Sequence, residues 1–174
     1  MVAVPGVRVS LLNVSGDSSS FESLCTRITS GTFTCITLVL YRTGSVSLAF
    51  FDEFSGLLER IVGYNDAIFI VGDLNIHLNV EDDLNSRRLT DLLDAFGFVV
   101  HNTGPTHDRG NRLDIVASRR DQPPPSVEVF DAGLSDHRLL QWTVSAPRAA
   151  PTVVTVNRRQ RLVSGVVTVT ALST

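Results

Sequence analysis

Val71-Gly72-Asp73-Leu74-Asn75-Ile76-His77 is the stretch on which the fold of this chain turns. It closes Ala67-Ile68-Phe69-Ile70-Val71, a continuous apolar run of the kind a strand shows when both of its faces are covered. Gly72 breaks the run, and a carboxylate and an amide then stand two residues apart. In extended backbone, residues i and i+2 point the same way, so Asp73 and Asn75 can reach one point. Gly, Asp and Asn are also common turn residues, and an ordinary turn accounts for the same letters.

Working outward, the period of the apolar residues changes on both sides. Upstream, Phe50, Phe54, Leu57, Leu58 and Ile61 make the stripe of an amphipathic helix. Before it, Val7–Val14, Phe21–Ile28 and Phe33–Tyr41 read as strands of an antiparallel meander, separated by turns rich in Ser, Gly and Asp. Downstream, Leu89, Leu92, Leu93 and Phe96 share one face of a second helix over Asn85–Phe96, with Gly97 at its C-terminal cap. Strands are expected at Phe98–His101, Leu113–Ser118 and Arg138–Val144, with Pro123-Pro124-Pro125 as a stiff loop. This order describes a mixed α/β domain built on a central pair of sheets. Beyond Ala146, prolines and scattered arginines read as a linker-like, poorly ordered tail over 147–174. Within it, Val/Thr-rich Leu162–Thr174 reads equally as an extra strand or an unfolded end.

Composition narrows the function. The chain has 174 residues, 43% of them apolar, enough for one domain with a real core. Its 15 basic residues are all arginine against 18 acids, for a net charge of -3. An acidic body is not that of a general nucleic-acid binder, but it suits carboxylates gathered around a divalent cation. Cys25 and Cys35 form neither a zinc spacing nor a disulfide framework, and read as two buried thiols. No apolar run approaches the ~20 residues a bilayer requires. Met1-Val2-Ala3-Val4-Pro5-Gly6 lacks the basic start of a signal peptide.

Three further segments place polar groups at strand ends. Asp114 stands at the entry of an apolar strand, after Gly104-Pro105-Thr106-His107. Pointing inward it needs a partner; pointing outward it is an ordinary strand start. Ser135-Asp136-His137 sets a carboxylate beside an imidazole, a candidate metal ligand with an acid/base or phosphate-contacting group, or else a capped turn. Tyr41-Arg42 ends the third strand, and there a phenol and a guanidinium can meet phosphate, or form an edge aromatic with a solvated arginine.

Taken in order, Leu40-Tyr41-Arg42, Gly72-Asp73-Leu74-Asn75, Thr106-His107 with Leu113-Asp114, and Ser135-Asp136-His137 resemble the endonuclease/exonuclease/phosphatase superfamily. The flanking segments Phe51-Asp52-Glu53-Phe54, Leu92–Phe98 and Gly104–His107 are similar to the endonuclease domains of non-LTR, LINE-type retrotransposons. The resemblance implies a four-layer αββα sandwich over residues 1–146 and Mg²⁺-dependent hydrolysis of phosphate esters, with Mn²⁺ able to replace Mg²⁺. It makes DNA the expected substrate and the nucleus the expected location. Carried over, Asp73 orients or deprotonates the attacking water, and Asn75 helps to hold phosphate or metal. Asp136 lies at the metal, while His137 contacts the scissile phosphate with Asp114 bonded to its ring. Tyr41 contacts the phosphate or transition state, and Thr106 and Arg42 contact substrate. The family also takes an Asn and a metal-binding Glu from two strands that precede the one matched by Val2–Val9. Glu22 does not match that ligand, so the chain is expected to lack the family's first strands, to hold its cation weakly and to have little or no nuclease activity; a catalytically inert fragment of the domain and a phosphatase of the same fold are the alternatives.

Overall fold

The computed structural model describes residues 6–14, 18–102, 104–133, 135–145 and 166–171. Strands β1 (Val7–Leu11), β2 (Glu22–Ser30) and β3 (Phe33–Tyr41) form the expected antiparallel meander. Helix α1 (Leu48–Ile61) carries the chain back along the sheet, so that β4 (Ala67–Asp73) pairs parallel to β3. The Ser47 hydroxyl starts α1 by accepting the Phe50 N–H. Helix α2 (Leu84–Ala95) starts at Asp83, whose carboxylate accepts the N–H groups of Asn85 and Ser86. The short strand β5 (Phe98–Val100) follows, then β6 (Asp114–Arg119), which lies antiparallel between β4 and β5. The six-stranded sheet therefore runs β1-β2-β3-β4-β6-β5. A second sheet joins β7 (Ser126–Phe130), β8 (Leu139–Ser145) and β9 (Val166–Ala171), with β8 in the middle.

Alternation along the central strands fixes the layers. Ile36, Leu38 and Leu40 of β3, Ile68 and Ile70 of β4, and Ile115 of β6 face the helices and pack on Phe50, Phe54, Leu58, Ile61, Leu89 and Leu93. Cys35, Phe69, Val71 and Val116 face the other way, onto Leu140, Trp142 and Val144 of β8. This explains why β4 reads as an unbroken apolar run: one face buries against helices, the other against a sheet. The fold is mixed α/β, as expected, and the described residues build three of the four layers of the expected sandwich.

Some expectations change. Strand β1 ends at Leu11, short of Val14, and β7 forms directly after the proline run, where the sequence pattern predicts no strand. The tail expected over 147–174 lies outside the described residues except for Val166–Ala171, which is a strand paired with β8. Cys25 and Cys35 are buried, free thiols on opposite faces of the large sheet.

Candidate active site

Register builds the site. The parallel β3–β4 pair sets Tyr41 opposite Asp73, and the antiparallel β4–β6 pair sets Asp73 opposite Asp114. Three polar residues thus occupy one row across three adjacent strands, spaced by about 4.8 Å per strand. Parity puts Asp73 on the face of Phe69 and Val71, and Asp114 on the face of Val116, the side covered by the second sheet. The row lies at the end where β8 begins, and both carboxylates are buried. Glu22 extends the row on β2, opposite Tyr41, two strands away from Asp73 and exposed.

His137 comes down onto this row from the turn before β8. Its N–H donates to Ser135 Oγ at 3.1 Å, which folds the turn, and its ring Nδ1 lies 3.1 Å from Asp114 Oδ2. A carboxylate accepts there, so Nδ1 carries a proton and Nε2 is the end that faces Asp73, 3.8 Å from its Oδ2. The ligating atoms of Asp73, Asp114 and His137 all lie within 4.8 Å of one another. The structure therefore brings these three sequence-read residues together, with Tyr41 beside them, 37% exposed at the rim.

Two expected substrate contacts have other work. Arg42 is only 1% exposed. Its Nε donates to Leu74 O at 2.6 Å, its Nη2 to Asn75 O at 3.0 Å and its Nη1 to Gly44 O at 3.0 Å. In return Asn75 Nδ2 donates to Arg42 O at 3.1 Å, and Asn75 adopts the left-handed conformation, φ 51°. The guanidinium is thus a clamp between the end of β3 and the Asp73–Asn75 loop, and has no fork left to offer a phosphate. Thr106 is fully buried, and its hydroxyl accepts the N–H groups of Leu113 and Asp114, anchoring the start of β6. Both are corrections: each side chain is held by backbone groups that only the folded chain assembles. Replacing Arg42 by Met should cost about 3 kcal/mol or more in urea unfolding, since hydrogen bonds from a charged group contribute about 1.5–3 kcal/mol each. Arg42→Lys should recover only a fraction of this, because a single ammonium cannot span the same acceptors.

Burial pushes the Asp73 carboxyl above the usual carboxylate range, and the Asp114 charge adds to this; the Asn75 N–H, His137 and Arg42 pull it down. Its folded pKa thus lies above the unfolded one. The stability it confers is present below the unfolded pKa and is lost as pH rises through the folded pKa. At neutral pH, ionised Asp73 is a net cost to the fold. Asp73→Asn should therefore melt at a higher temperature than the parent at pH 7, with the gap closing as the pH is lowered through the acid range. The Asn75 N–H, which donates to Asp73 Oδ1 at 2.9 Å, keeps an acceptor in the amide.

A second pairing stands beside the first. His107 Nε2 lies 3.2 Å from Asp136 Oδ2, and the His107 and His137 rings meet edge to face, centroids 5.0 Å apart. Asp136 sits outside the buried row, its side chain 66% exposed. His107 is a site residue to which the sequence alone assigns no role. Its one signal is its place in the Gly104–His107 segment, and nothing local shows that it reaches Asp136.

A family model for the endonuclease/exonuclease/phosphatase family matches residues 12–137, a span that contains every residue of this cluster. The chain belongs to that family. Members of the endonuclease/exonuclease/phosphatase family are hydrolases and typically depend on a divalent metal. No curated protein matches this chain. No helix among the described residues is long and apolar enough to cross a membrane.

The donor set fits such a metal. Asp73 and Asp114 are 3% and 1% exposed and face each other across one strand pair, and His137 links them to a second group with His107 and Asp136. Carboxylates this close and this buried call for a positive partner, and an oxygen-rich set favours a hard cation. Among the described residues, no glutamate joins the cluster.

Proposed function

We propose that this chain hydrolyses phosphodiester bonds in DNA, with Mg²⁺ as its cation and Mn²⁺ able to serve in its place. The observation that carries the proposal is the buried Asp73–Asp114 pair with His137 bonded to one carboxylate and facing the other. A raised Asp73 pKa suits a base that takes a proton from water as the water oxygen attacks phosphorus. As an imidazolium, His137 would donate from Nε2 to a non-bridging phosphate oxygen, while Asp114, bonded at Nδ1, sets the angle of the ring. Tyr41, at the rim of the row, meets the phosphate or its flank. The new P–O bond forms to water and the bond to the leaving oxygen breaks, giving a phosphate end and a hydroxyl end. Asp136 and Asn75 would hold the cation, which supplies charge neutralisation at the phosphate when bound. Among the described residues no glutamate joins either carboxylate–histidine group, and the rate is expected to be low.

The retroelement-like text around the motifs, Phe51–Phe54, Leu92–Phe98 and Gly104–His107, supports DNA over a small phosphate ester. The test compares an end-labelled DNA duplex with p-nitrophenyl phosphate under one Mg²⁺ buffer. Strand scission without phosphate release is the expected result. Phosphate release that leaves the duplex intact would make the chain a phosphatase.

A further inference from the structure

We propose that His107 is a positioning residue that holds the Asp136 carboxylate at the edge of the site, a role that rests on the hydrolase function proposed above. His107 lies in the turn before β6 and is only 9% exposed. Its backbone bridges to His137. Asp108 N–H donates to Asp136 O at 2.9 Å, and Arg138 N–H donates to Thr106 O at 2.8 Å. The two turns are therefore stitched together on either side of the His107–Asp136 contact. Thr106, one residue earlier, is bonded to the first residue of β6. The anchor is buried, and what it meets is not: Asp136 is an exposed carboxylate on a turn.

The ring's chemistry fixes which end does what. Arg109 N–H donates to His107 Nδ1 at 3.1 Å, so Nδ1 offers a lone pair and the proton sits on Nε2. Nε2 is the atom 3.2 Å from Asp136 Oδ2, and among the described residues His107 is the one basic side chain paired with that carboxylate. The same tautomer argues against His107 as a metal ligand, although its ring lies within 4.8 Å of Asp136 and His137 donor atoms. A ligand nitrogen needs its lone pair, and Nε2 holds a proton. His137 differs: its proton is on Nδ1, toward Asp114, which leaves Nε2 toward the row. The two neighbours Asp136 and His137 are thus each aimed by a partner from the β6 side, a histidine for the aspartate and an aspartate for the histidine. Partners that orient ligating groups typically account for about 10–100-fold in metal affinity.

The experiment has two readouts on the full chain. Long-range ¹H–¹⁵N spectra of the histidine rings should find His107 as the Nε2–H tautomer, with its ring signals shifted in Asp136→Ala. Mn²⁺ titration followed by electron paramagnetic resonance should show binding weakened about tenfold in His107→Ala. His107→Gln, whose amide can place an N–H near the same point, should stay within about threefold of the parent. A proton on Nδ1 overturns the proposal. So does Mn²⁺ affinity unchanged in His107→Ala, or lowered equally by Ala and Gln, the mark of a merely structural residue. If the parent chain binds no Mn²⁺, the hydrolase function fails and the positioning role falls with it; parent binding without a His107 effect removes the positioning role alone.

Discussion

His137→Ala should lower the Mg²⁺-dependent cleavage rate by about a thousandfold, the range found when one well-placed donor to a developing charge is removed. The ring is only 14% exposed as a side chain and is bonded to a carboxylate that is itself 2% exposed. It is pre-aimed, so little reorganisation accompanies the reaction. Water filling its place would bring no comparable orientation. The loss should appear in turnover more than in substrate binding, since the contact strengthens as the phosphate gains charge. Melting should fall too, because Asp114 loses a ring partner while buried, but the fold should persist, since the turn is also held by the Ser135 hydroxyl and by the backbone bonds from Asp108 and Arg138. Steady-state cleavage of a labelled duplex, with melting as control, measures both. A variant that keeps a tenth or more of the parent rate would remove His137 from the chemistry.

Gly72→Ala should unfold the chain or destabilise it by at least about 3 kcal/mol, as expected when both strain and overpacking act at one position. Gly72 has φ 134°, where a side chain is strained, and a Cβ there would stand 1.9 Å from Leu40 O. That oxygen is backbone of the neighbouring parallel strand, paired in register with Gly72, so no rotamer relieves the contact. The two strands would have to separate just before Asp73 and at the Tyr41 end, the corner that sets the row of the site. Urea denaturation of Gly72→Ala is the measurement. A midpoint close to the parent's would show that the sheet can absorb the side chain.

Much of the fold is legible in the sequence because it depends on periodicity. The β4 run, the α1 stripe from Phe50 to Ile61 and the α2 face through Leu89 and Leu93 each come from which positions must be dry, and the structure buries them. The Gly72-Asp73 junction is legible because a covered strand ending in Gly and Asp leaves few places for the carboxylate to go. Strand β7 is not legible: it alternates between exposed and half-buried residues at the margin of the small sheet, after three prolines. Arg42 and Thr106 mislead for one reason. An arginine or a hydroxyl beside a motif reads as a ligand contact until the carbonyls of Leu74 and Asn75, or the N–H groups of Leu113 and Asp114, are seen to occupy it. Those partners are 32, 33, 7 and 8 residues away, in bonds that no local pattern encodes. His107 escapes assignment similarly, since its partner Asp136 lies on a separate turn.

Supercoiled plasmid nicking is the most direct test that this cluster performs phosphodiester hydrolysis, because one break per molecule converts the substrate and even a slow rate scores. The purified chain is incubated in Mg²⁺, with and without EDTA, alongside Asp73→Asn and His137→Ala. The expected result is slow conversion to open circles by the parent, abolished by EDTA and by each substitution. Open circles that form equally in EDTA or in both variants, or a parent that leaves the plasmid supercoiled in Mg²⁺ and in Mn²⁺, would contradict it.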